Sequence, residues 1–332
     1  MSFRMPAEWE PHEATWLAWP HEKSDWPGKF APIPWVYGEI VRHLARVERV
    51  RIVVEDADAQ QSVIRILKKC HVDLAAVDFH LHPTDRSWIR DFGPIFVKSG
   101  SEVAMTGWRF NGWAKYPNFR NDTRLPLSVA RKFKIKHIDP DLVLEGGSID
   151  VNGAGKLLTT EECLLSDVQV RNPGLTRAQW ETAFSTYLGI RETIWLGRGI
   201  AGDDTHGHVD DLARFTSVNT VVTVVESDKS DPNYEPLNQN LARLRSRGDL
   251  KIATLPMPEP VLFAGQRLPA SYANFYLANG LVLVPVFADK NDMTALRTLA
   301  RLFPDREVIG IPCRDLVLGL GTLHCMTQQQ PA

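Results

Sequence analysis

Hydrophobic and polar positions along this chain follow two alternating periods. Short runs rich in β-branched and aromatic residues predict strands, and apolar residues spaced three or four positions apart predict amphipathic helices between them. The predicted strands lie at residues 51–55, 77–81, 103–110, 156–160, 220–225, 281–286 and 307–311. This alternation along the whole chain indicates an α/β fold.

Helix signals mark the stretches between the predicted strands. Thr176 and Gln179 have the spacing of a capping box, and Asp292 is a candidate cap for a later helix. The apolar residues on one face of each helix are Trp180, Phe184, Tyr187 and Leu188 in the first and Met293, Leu296, Leu299, Ala300 and Phe303 in the second. From Gln61 onward the predicted helices recur every roughly 55 to 65 residues, a period typical of repeated structural units. The recurrence indicates ββαβ-like units, although no side-chain identities repeat with that period.

Composition and charge narrow the class of protein. The chain has 332 residues, of which 44% are hydrophobic and 23% charged, enough for a substantial core. A formal net charge of -2 and a pI near 6.6 leave no broad basic surface, so nucleic acid is not an expected partner. The sequence has neither a signal-peptide pattern nor an apolar run of membrane-spanning length, which predicts a cytoplasmic protein without a membrane partner. No linker-like segment divides residues 1–332, so we expect a single domain.

The four cysteines stand apart from one another without a C-x-x-C pair. This argues against a zinc ribbon, a redox dithiol and a disulfide scaffold. Cys70 and Cys163 lie in apolar surroundings and are expected to pack in the interior. Cys325 differs because a glycine-rich turn and His324 precede it, and a thiol with room around it and an imidazole beside it is a candidate nucleophile. A small buried hydrophobic residue is the alternative interpretation of Cys325.

Two acidic residues stand next to glycines in positions suited to a cleft. Asp91 is expected at the end of a strand ahead of a Gly-Pro turn, where loops carry functional side chains, and a surface ion pair of Arg90 and Asp91 is the alternative. Glu145 precedes Gly146 and Gly147, which permit close approach of a ligand or backbone. A β-bulge is the alternative interpretation of that second motif.

The segment from Gly202 to Asp211 is the richest in titratable side chains. If it is extended, residues two apart share a face, so that His206, His208 and Asp210 point the same way. That arrangement is typical of a zinc or iron site. The same face would equally present His208 as a general acid and base and Asp210 as an anchor for a cationic substrate. The residues alone leave both interpretations open.

A thiol, an imidazole and several carboxylates together describe a site for a planar cation with an electrophilic carbon. A guanidinium group meets that description because it pairs bidentately with carboxylates and its central carbon can be attacked by sulfur. Trp88 and Trp113 are candidates for stacking or cation-π walls, although most of the ten tryptophans must be core residues. The residues that would make up this site are Cys325, His208, Glu145, Asp91, Asp210, Trp88 and Trp113.

Five motifs in order along the chain carry a resemblance to a known family. They are MPAEWEPH at 5–12, WIRDFGP at 88–94, EGG at 145–147, GHVDD at 207–211 and HCMTQQ at 324–329. The chain resembles, from Met5 to Pro331, the agmatine deiminase and bacterial peptidylarginine deiminase-type family of guanidino-group modifying enzymes. The resemblance implies a pentein-like fold, a pseudo-five-fold α/β propeller of ββαβ units around a central site. It also implies that a homo-oligomer is plausible.

The resemblance also implies a role for each candidate residue. Cys325 would be the nucleophile and His208 the proton shuttle, with Glu145 orienting or stabilising His208. Asp91 and Asp210 would hold the guanidinium nitrogens, while Trp88 would line the pocket. The implied reaction is hydrolytic deimination of a small guanidino substrate through a covalent thiouronium intermediate, with no metal and no organic cofactor.

Three classes of function remain open at this point. The leading hypothesis is deimination of agmatine to N-carbamoylputrescine and ammonia, with arginine or peptidyl arginine as the alternative substrate. Arginine would need a cation for its α-carboxylate, for which Arg90, Arg109 and Lys115 are candidates. A metal-dependent hydrolase using His206, His208 and Asp210 is the second class, and a binding protein without turnover is the third.

The turn before Cys325 departs from the pattern of the family. Leu320 and Thr322 stand where glycine and asparagine are more common, and a bulkier turn would alter the pocket.

Overall fold

The strands of this protein are short and distributed along the whole chain. The structure, a computed structural model, describes residues 3–332. The strands are β1 His12–Ala18, β2 Arg49–Val54, β3 Val77–Leu81, β4 Ile95–Ser99, β5 Glu102–Thr106, β6 Lys136–Ile138, β7 Asp150–Val151, β8 Lys156–Thr160, β9 Glu192–Leu196, β10 Ala213–Ser217, β11 Thr220–Val225, β12 Lys251–Pro256, β13 Leu262–Phe263, β14 Gln266–Arg267, β15 Tyr276–Ala278, β16 Leu281–Val286, β17 Glu307–Pro312 and β18 Gln328–Pro331.

Helices connect these strands, and single 3-10 turns lie near the centre of the molecule. The helices are α1 Ile33–Leu44, α2 Ala57–Lys69, α3 Ile89–Phe92, α4 Leu125–Phe133, α5 Glu161–Leu165, α6 Arg177–Leu188, α7 Tyr234–Arg245 and α8 Asp292–Leu302. The 3-10 turns that concern the site are Gly146–Ser148, Val209–Asp211 and Leu316–Gly319.

Four sheets share one topology, in which an antiparallel hairpin is followed by a helix and a third strand parallel to the second. They have the strand orders β4-β5-β6, β7-β8-β9, β10-β11-β12 and β15-β16-β17. A parallel pair needs a crossover long enough to return the chain, and the helices provide it.

The fifth sheet joins the two ends of the chain. Strand β18 pairs antiparallel with β1, and α1 leads from β1 to the parallel strand β2, with β3 added at the edge. Residues 3–332 therefore contain five ββαβ units, and one of them combines strands from both ends of the chain. The predicted pentein-like α/β propeller is confirmed.

Buried aliphatic strands form the centre of each unit. In β16 every residue from Leu281 to Pro285 is buried, as expected of a strand covered on both faces. The predicted bounds of four strands match the structure: β3, β8, β11 and β16. The sequence therefore predicts best the strands that are continuous runs of Val, Leu, Ile and Thr between turns, such as β11 and β16.

Two predicted elements differ from the structure. The strand predicted at 103–110 ends at Thr106, and Arg109 instead forms a single bridge with Val143. The side chain of Asp292 does not cap its own helix, because it accepts hydrogen bonds from the hydroxyl of Tyr272 (2.7 Å) and the backbone of Phe287 (3.1 Å). Of the predicted apolar face, Met293 and Ala300 are exposed, and within α8 the buried residues are Ala295 and Leu299.

The capping box predicted at Thr176 and Gln179 is confirmed, and α6 buries Trp180, Phe184 and Leu188. Among residues 3–332 no helix combines the length and apolarity that crossing a bilayer requires.

Candidate active site

The turn that carries Cys325 packs against the ring of Trp88. A Cβ at Gly321 would lie 2.8 Å from Cζ3 of Trp88 and 3.1 Å from Cβ of Cys325, so glycine is required for this close packing. Leu320 has a left-handed backbone with φ of 68°, a conformation that is strained for a leucine. The strain lies in the residue where the family pattern more commonly has glycine.

Asp91 lies on the one-turn helix α3 rather than at the end of a strand, which corrects the prediction. Its carboxylate is fully buried and accepts hydrogen bonds from the backbone N–H of Gly147 (3.0 Å) and Nε1 of Trp113 (2.9 Å). A Cβ at Gly147 would lie 2.5 Å from Nδ1 of His208. The glycine therefore allows Asp91 and His208 to meet, and Glu145 precedes a 3-10 turn rather than a β-bulge.

His208 lies between two carboxylates. Its Nδ1 is 3.8 Å from Oδ1 of Asp91, and its Nε2 is 3.5 Å from Oε2 of Glu145. These are ion-pair contacts and not hydrogen bonds, and Nε of Arg171 holds Glu145 in place from 3.1 Å. Cys163 has the packing environment expected for it, but its sulfur also lies within 4.8 Å of ligand atoms of Glu145 and His208.

A second group of polar residues surrounds the thiol of Cys325. The thiol donates to Oδ2 of Asp210 (3.6 Å), and the same oxygen is 2.7 Å from Nδ1 of His324. Nε2 of His324 in turn lies 2.8 Å from Oε2 of Glu8. Nδ2 of Asn274 donates to Sγ of Cys325 at 3.1 Å.

Sequence reasoning missed Glu8 and Asn274 as parts of the site, and it named His324 only as the imidazole next to Cys325 without a role in the site. Glu8 and His324 lie inside two of the motifs that carry the family resemblance, so a signal for them existed. Asn274 lies in a loop ahead of β15 and has no comparable motif around it.

Burial and clustered carboxylates determine the charge states around the thiol. Burial raises the pKa of Cys325 well above its ordinary value, and Asp210, Asp211 and Asp91 add to the rise. Burial likewise raises the pKa of Asp91 to about 6, with Asp210 and Glu145 adding to the rise and His208 opposing it. A cation that entered this site would lower the pKa of both Cys325 and Asp91, because it stabilises the thiolate and the carboxylate.

The imidazole of His208 has the opposite balance. Burial lowers its pKa, but Asp91, Cys163 and Glu145 outweigh burial and hold the pKa well above its ordinary value. Burial raises the pKa of Glu145, yet Arg171 and His208 outweigh it and lower the pKa. The raised pKa favours the protonated, cationic form of His208.

A cavity of about 360 Å³ leads to this site. Cys325, Asp91, Trp88 and Trp113 line it directly. His208, Glu145 and Asp210 are buried one layer deeper, in contact with Asp91 or Cys325 or with each other. The seven residues predicted from the sequence thus form one cluster.

The predicted metal face is not formed. His206 and Gly207 both have positive φ, 66° and 94°, and Val209–Asp211 is a 3-10 turn, so the segment is not extended. His206 contacts the hydroxyl of Ser166 (3.1 Å), whereas His208 lies against Glu145. Among the described residues, the one group of ligand atoms close enough to share an ion is Glu145, Cys163 and His208, and the cation of Arg171 already occupies the carboxylate of that group.

The five ββαβ units define the pentein fold, in which a thiol and an acidic side chain line one cavity and an imidazole lies one layer deeper. Residues 4–331 match the Porphyromonas-type peptidyl-arginine deiminase family, and the chain belongs to that family.

Two relatives that align with almost the whole chain are named agmatine deiminase. The agmatine deiminase of Pseudomonas aeruginosa (strain LESB58) is 35% identical over 99% of this chain and 96% of its own length. That of Medicago truncatula is also 35% identical, over 99% of this chain and 96% of its own.

Solved structures are similar over the whole chain. A substrate-bound C. jejuni agmatine deiminase has a TM-score of 0.91 and 33% identity, covering 99% of this chain and 96% of its own. An Enterococcus faecalis agmatine deiminase has a TM-score of 0.92 at 30% identity over the same shares. An amidinotransferase from Microseira wollei, 13% identical with a TM-score of 0.54 over 98% of this chain and 96% of its own, shares the fold.

Proposed function

We propose that this protein hydrolyses agmatine to N-carbamoylputrescine and ammonia, with Cys325 as the nucleophile. The observation that carries the proposal is the cavity lined by Cys325 and Asp91, with the buried carboxylate of Asp210 accepting from the thiol. Relatives named agmatine deiminase along the whole length of the chain support the choice of substrate.

Binding begins with the guanidinium group between the acidic residues and the aromatic walls. The carboxylates of Asp91 and Asp210 pair with its nitrogens, and the rings of Trp88 and Trp113 flank the cavity. Bidentate pairing holds the central carbon in front of sulfur, which removes most of the orientational cost of the reaction. The positive charge of the substrate favours the thiolate, whose formation Asp91, Asp210 and Asp211 oppose in the free enzyme, and the thiol proton leaves to solvent as the substrate binds.

Two chemical stages follow. The thiolate of Cys325 forms a bond to the guanidinium carbon, and His208 gives its proton to one nitrogen, so that the C–N bond breaks and ammonia leaves. The carbon is now bonded to sulfur as a thiouronium cation. Neutral His208 then takes one proton from water as the oxygen adds, the C–S bond breaks as the remaining hydroxyl proton passes to solvent, where ammonia takes it up, and the neutral ureido product leaves with the thiolate restored.

The outer part of the cavity favours a substrate that ends in an ammonium group. Asp204 lines it, where it accepts a hydrogen bond from the hydroxyl of Tyr116 (2.7 Å) and pairs with Lys115. Asp25 also lines it and pairs with Arg86. The amine of agmatine would replace the ammonium of Lys115 on Asp204, so that this carboxylate keeps a cation, whereas an α-carboxylate would take Lys115 or Arg86 from its aspartate and leave that aspartate unpaired.

Two of the three residues considered as partners for the α-carboxylate of arginine lie outside the cavity. Arg90 is buried and donates to Gln329 (2.7 Å), and Arg109 is exposed and pairs with Asp141. Lys115 is the one near the cavity, and Asp204 already pairs with it. This arrangement supports agmatine over arginine as the substrate.

Ammonia release from a panel of guanidines tests the proposal. We expect turnover of agmatine well above that of arginine, methylated arginines and a peptide with C-terminal arginine. Cys325→Ser should reduce release from agmatine to background, while the control Cys70→Ser should retain it, because Cys70 lies at the end of α2 outside the cavity. Chelation should leave activity unchanged. Turnover by Cys325→Ser, or a parent protein inactive on all four substrates, would contradict the proposal.

A further inference from the structure

Two cationic side chains pair with the acidic residues of the outer cavity, and they differ in how firmly they are held. The guanidinium of Arg86 pairs with Asp25 and also donates to Oδ1 of Asn118 at 2.8 Å. The ammonium of Lys115 pairs with Asp204 and has no other hydrogen-bond partner in the described part of the chain. The side chain of Lys115 is 43% exposed, against 9% for that of Arg86. Lys115 can therefore exchange its partner for water, whereas Arg86 is fixed.

The position of Asp204 does not depend on Lys115. Oδ2 of Asp204 accepts from the hydroxyl of Tyr116 (2.7 Å), and its backbone carbonyl accepts from Nε2 of Gln169 (3.1 Å). Lys115 contacts the other carboxylate oxygen, Oδ1. Asp204 lines the cavity, and its side chain is 17% exposed. Without Lys115 the cavity would therefore keep a fixed carboxylate with one oxygen unpaired.

A short left-handed turn places Lys115 at the outer cavity. Gly112, Trp113 and Ala114 have φ of 66°, 57° and 54°, a conformation that is unfavourable for the two residues that have a side chain. Such a backbone persists only where its surroundings hold it, and here Nε1 of Trp113 donates to Oδ2 of Asp91 at 2.9 Å. The guanidinium site thus fixes the turn that carries Lys115.

Both ligands of the proposed reaction, agmatine and N-carbamoylputrescine, end in an ammonium group. An ammonium that approaches Asp204 must displace Lys115 or share the carboxylate with it, and two cations at one carboxylate repel each other. Either event lowers the affinity for a ligand with a cationic tail. A ligand whose tail is uncharged does not compete with Lys115 and does not bear this cost.

We propose that Lys115 is a specificity-determining residue, an internal cation that competes with the ammonium group of substrate and product for Asp204. The lysine limits the affinity for both ligands and returns to Asp204 when the product leaves. The inference deepens the proposed function, on which it rests for the identity of the cationic tail.

Calorimetric titration of agmatine into Cys325→Ser measures binding without turnover. Adding Lys115→Met to this background removes the ammonium and keeps the length of the side chain. We expect agmatine to bind about two- to fivefold more tightly, the contribution typical of one exposed ion pair. Lys115→Arg keeps the positive charge and should leave the affinity close to that of Cys325→Ser alone.

Two controls separate competition from a general effect of charge. Butylguanidine is agmatine without its amine, and its dissociation constant should not change in Lys115→Met. Lys29→Met removes another exposed lysine paired with an aspartate, because Lys29 lies 3.0 Å from Asp315 and neither residue lines the cavity. It should leave the affinity for agmatine unchanged.

The product provides a second measurement in the enzyme that retains Cys325. N-carbamoylputrescine should inhibit Lys115→Met more strongly than the parent enzyme, and KM for agmatine should fall by a similar factor. This reading does not depend on the Cys325→Ser background.

Agmatine affinity that is unchanged or weaker in Lys115→Met overturns the proposal, and a weaker affinity is what a lysine that only positioned Asp204 would produce. Equal tightening of agmatine and butylguanidine overturns it as well, because the tail would then not matter. Failure of the substrate assignment is distinguishable from both results, since it appears as a lack of ammonia release from agmatine.

Discussion

Two buried imidazoles lie within the same site and differ in how they are held. Both ring nitrogens of His324 make close contacts with carboxylates, 2.7 Å to Asp210 and 2.8 Å to Glu8. Neither ring nitrogen of His208 has a hydrogen-bond partner among residues 3–332, and its nearest carboxylates are 3.5 and 3.8 Å away. A proton shuttle must be free to exchange protons, whereas a ring saturated on both sides fixes its neighbours. The difference supports the proposed proton shuttle at His208 and favours a positioning role for His324.

Replacing His208 should produce the largest loss of activity. In His208→Asn we expect kcat to fall on the order of 10²–10⁴-fold, the usual contribution of a general acid and base. The free energy of unfolding should change less than in the His324 variant, because His208 makes no hydrogen bond through its ring. Ammonia release and urea denaturation measure the two quantities. A variant with near-normal kcat would remove His208 from the mechanism.

Replacing His324 should act mainly on stability and binding. His324→Gln leaves the buried carboxylates of Asp210 and Glu8 without their shared partner, and breaking such an arrangement costs about 3–5 kcal/mol. We expect a lower unfolding free energy by urea titration and a raised KM for agmatine, because Asp210 is no longer held. If kcat fell as far as in His208→Asn while KM stayed constant, the two rings would not have the different roles assigned to them.

The pH dependence of the free enzyme sharpens the comparison on the acidic side. Asp91 has a pKa raised to about 6 by burial and must be ionised to bind a cation, while His208 remains protonated because its pKa is raised. We therefore expect kcat/KM to rise with pH through about 6 and to lose its acidic limb in Asp91→Asn, whose activity should be low throughout. If Asp91→Asn kept the acidic limb at the same pH, that limb would have to come from the titration of another group.

Leu320→Gly should have the smallest effect, since this residue contacts neither imidazole. Glycine relieves a backbone with φ of 68°, a cost of about 1–2 kcal/mol for a non-glycine residue, but gives up part of that through its own flexibility. We expect the unfolding free energy to change by about 1 kcal/mol or less and KM for agmatine to shift a few-fold, because Leu320 lines the cavity. A loss of kcat comparable to that of His208→Asn would show that the turn itself is part of the chemistry.

Strand interiors and most site residues could be predicted from the sequence, whereas the contacts that join them could not. Strands such as β16 are continuous apolar runs, but β18 consists of Gln328–Pro331, a polar segment that is nevertheless buried against β1. Two of its glutamines bond side chains far away in sequence, since Gln330 accepts from Nε1 of Trp16 at 2.9 Å and Gln329 from Nη1 of Arg90 at 2.7 Å. No local period reveals such a strand.

The chemistry of the site shows the same limit. The expectation that His206 and His208 share a face failed because the positive φ of His206 and Gly207 turns the chain, which alternation alone does not show. Asn274 escaped prediction because a single amide in a loop has no pattern, and its contact with the sulfur of Cys325 joins residues 51 positions apart.

Mass spectrometry of the acid-quenched reaction tests the covalent mechanism most directly. With agmatine in excess, we predict an adduct of agmatine less ammonia on the peptide that carries Cys325, increased in variants of His208 that slow the attack of water more than the loss of ammonia. Turnover of agmatine without any adduct on Cys325, or with an adduct on Cys163 instead, would contradict the account.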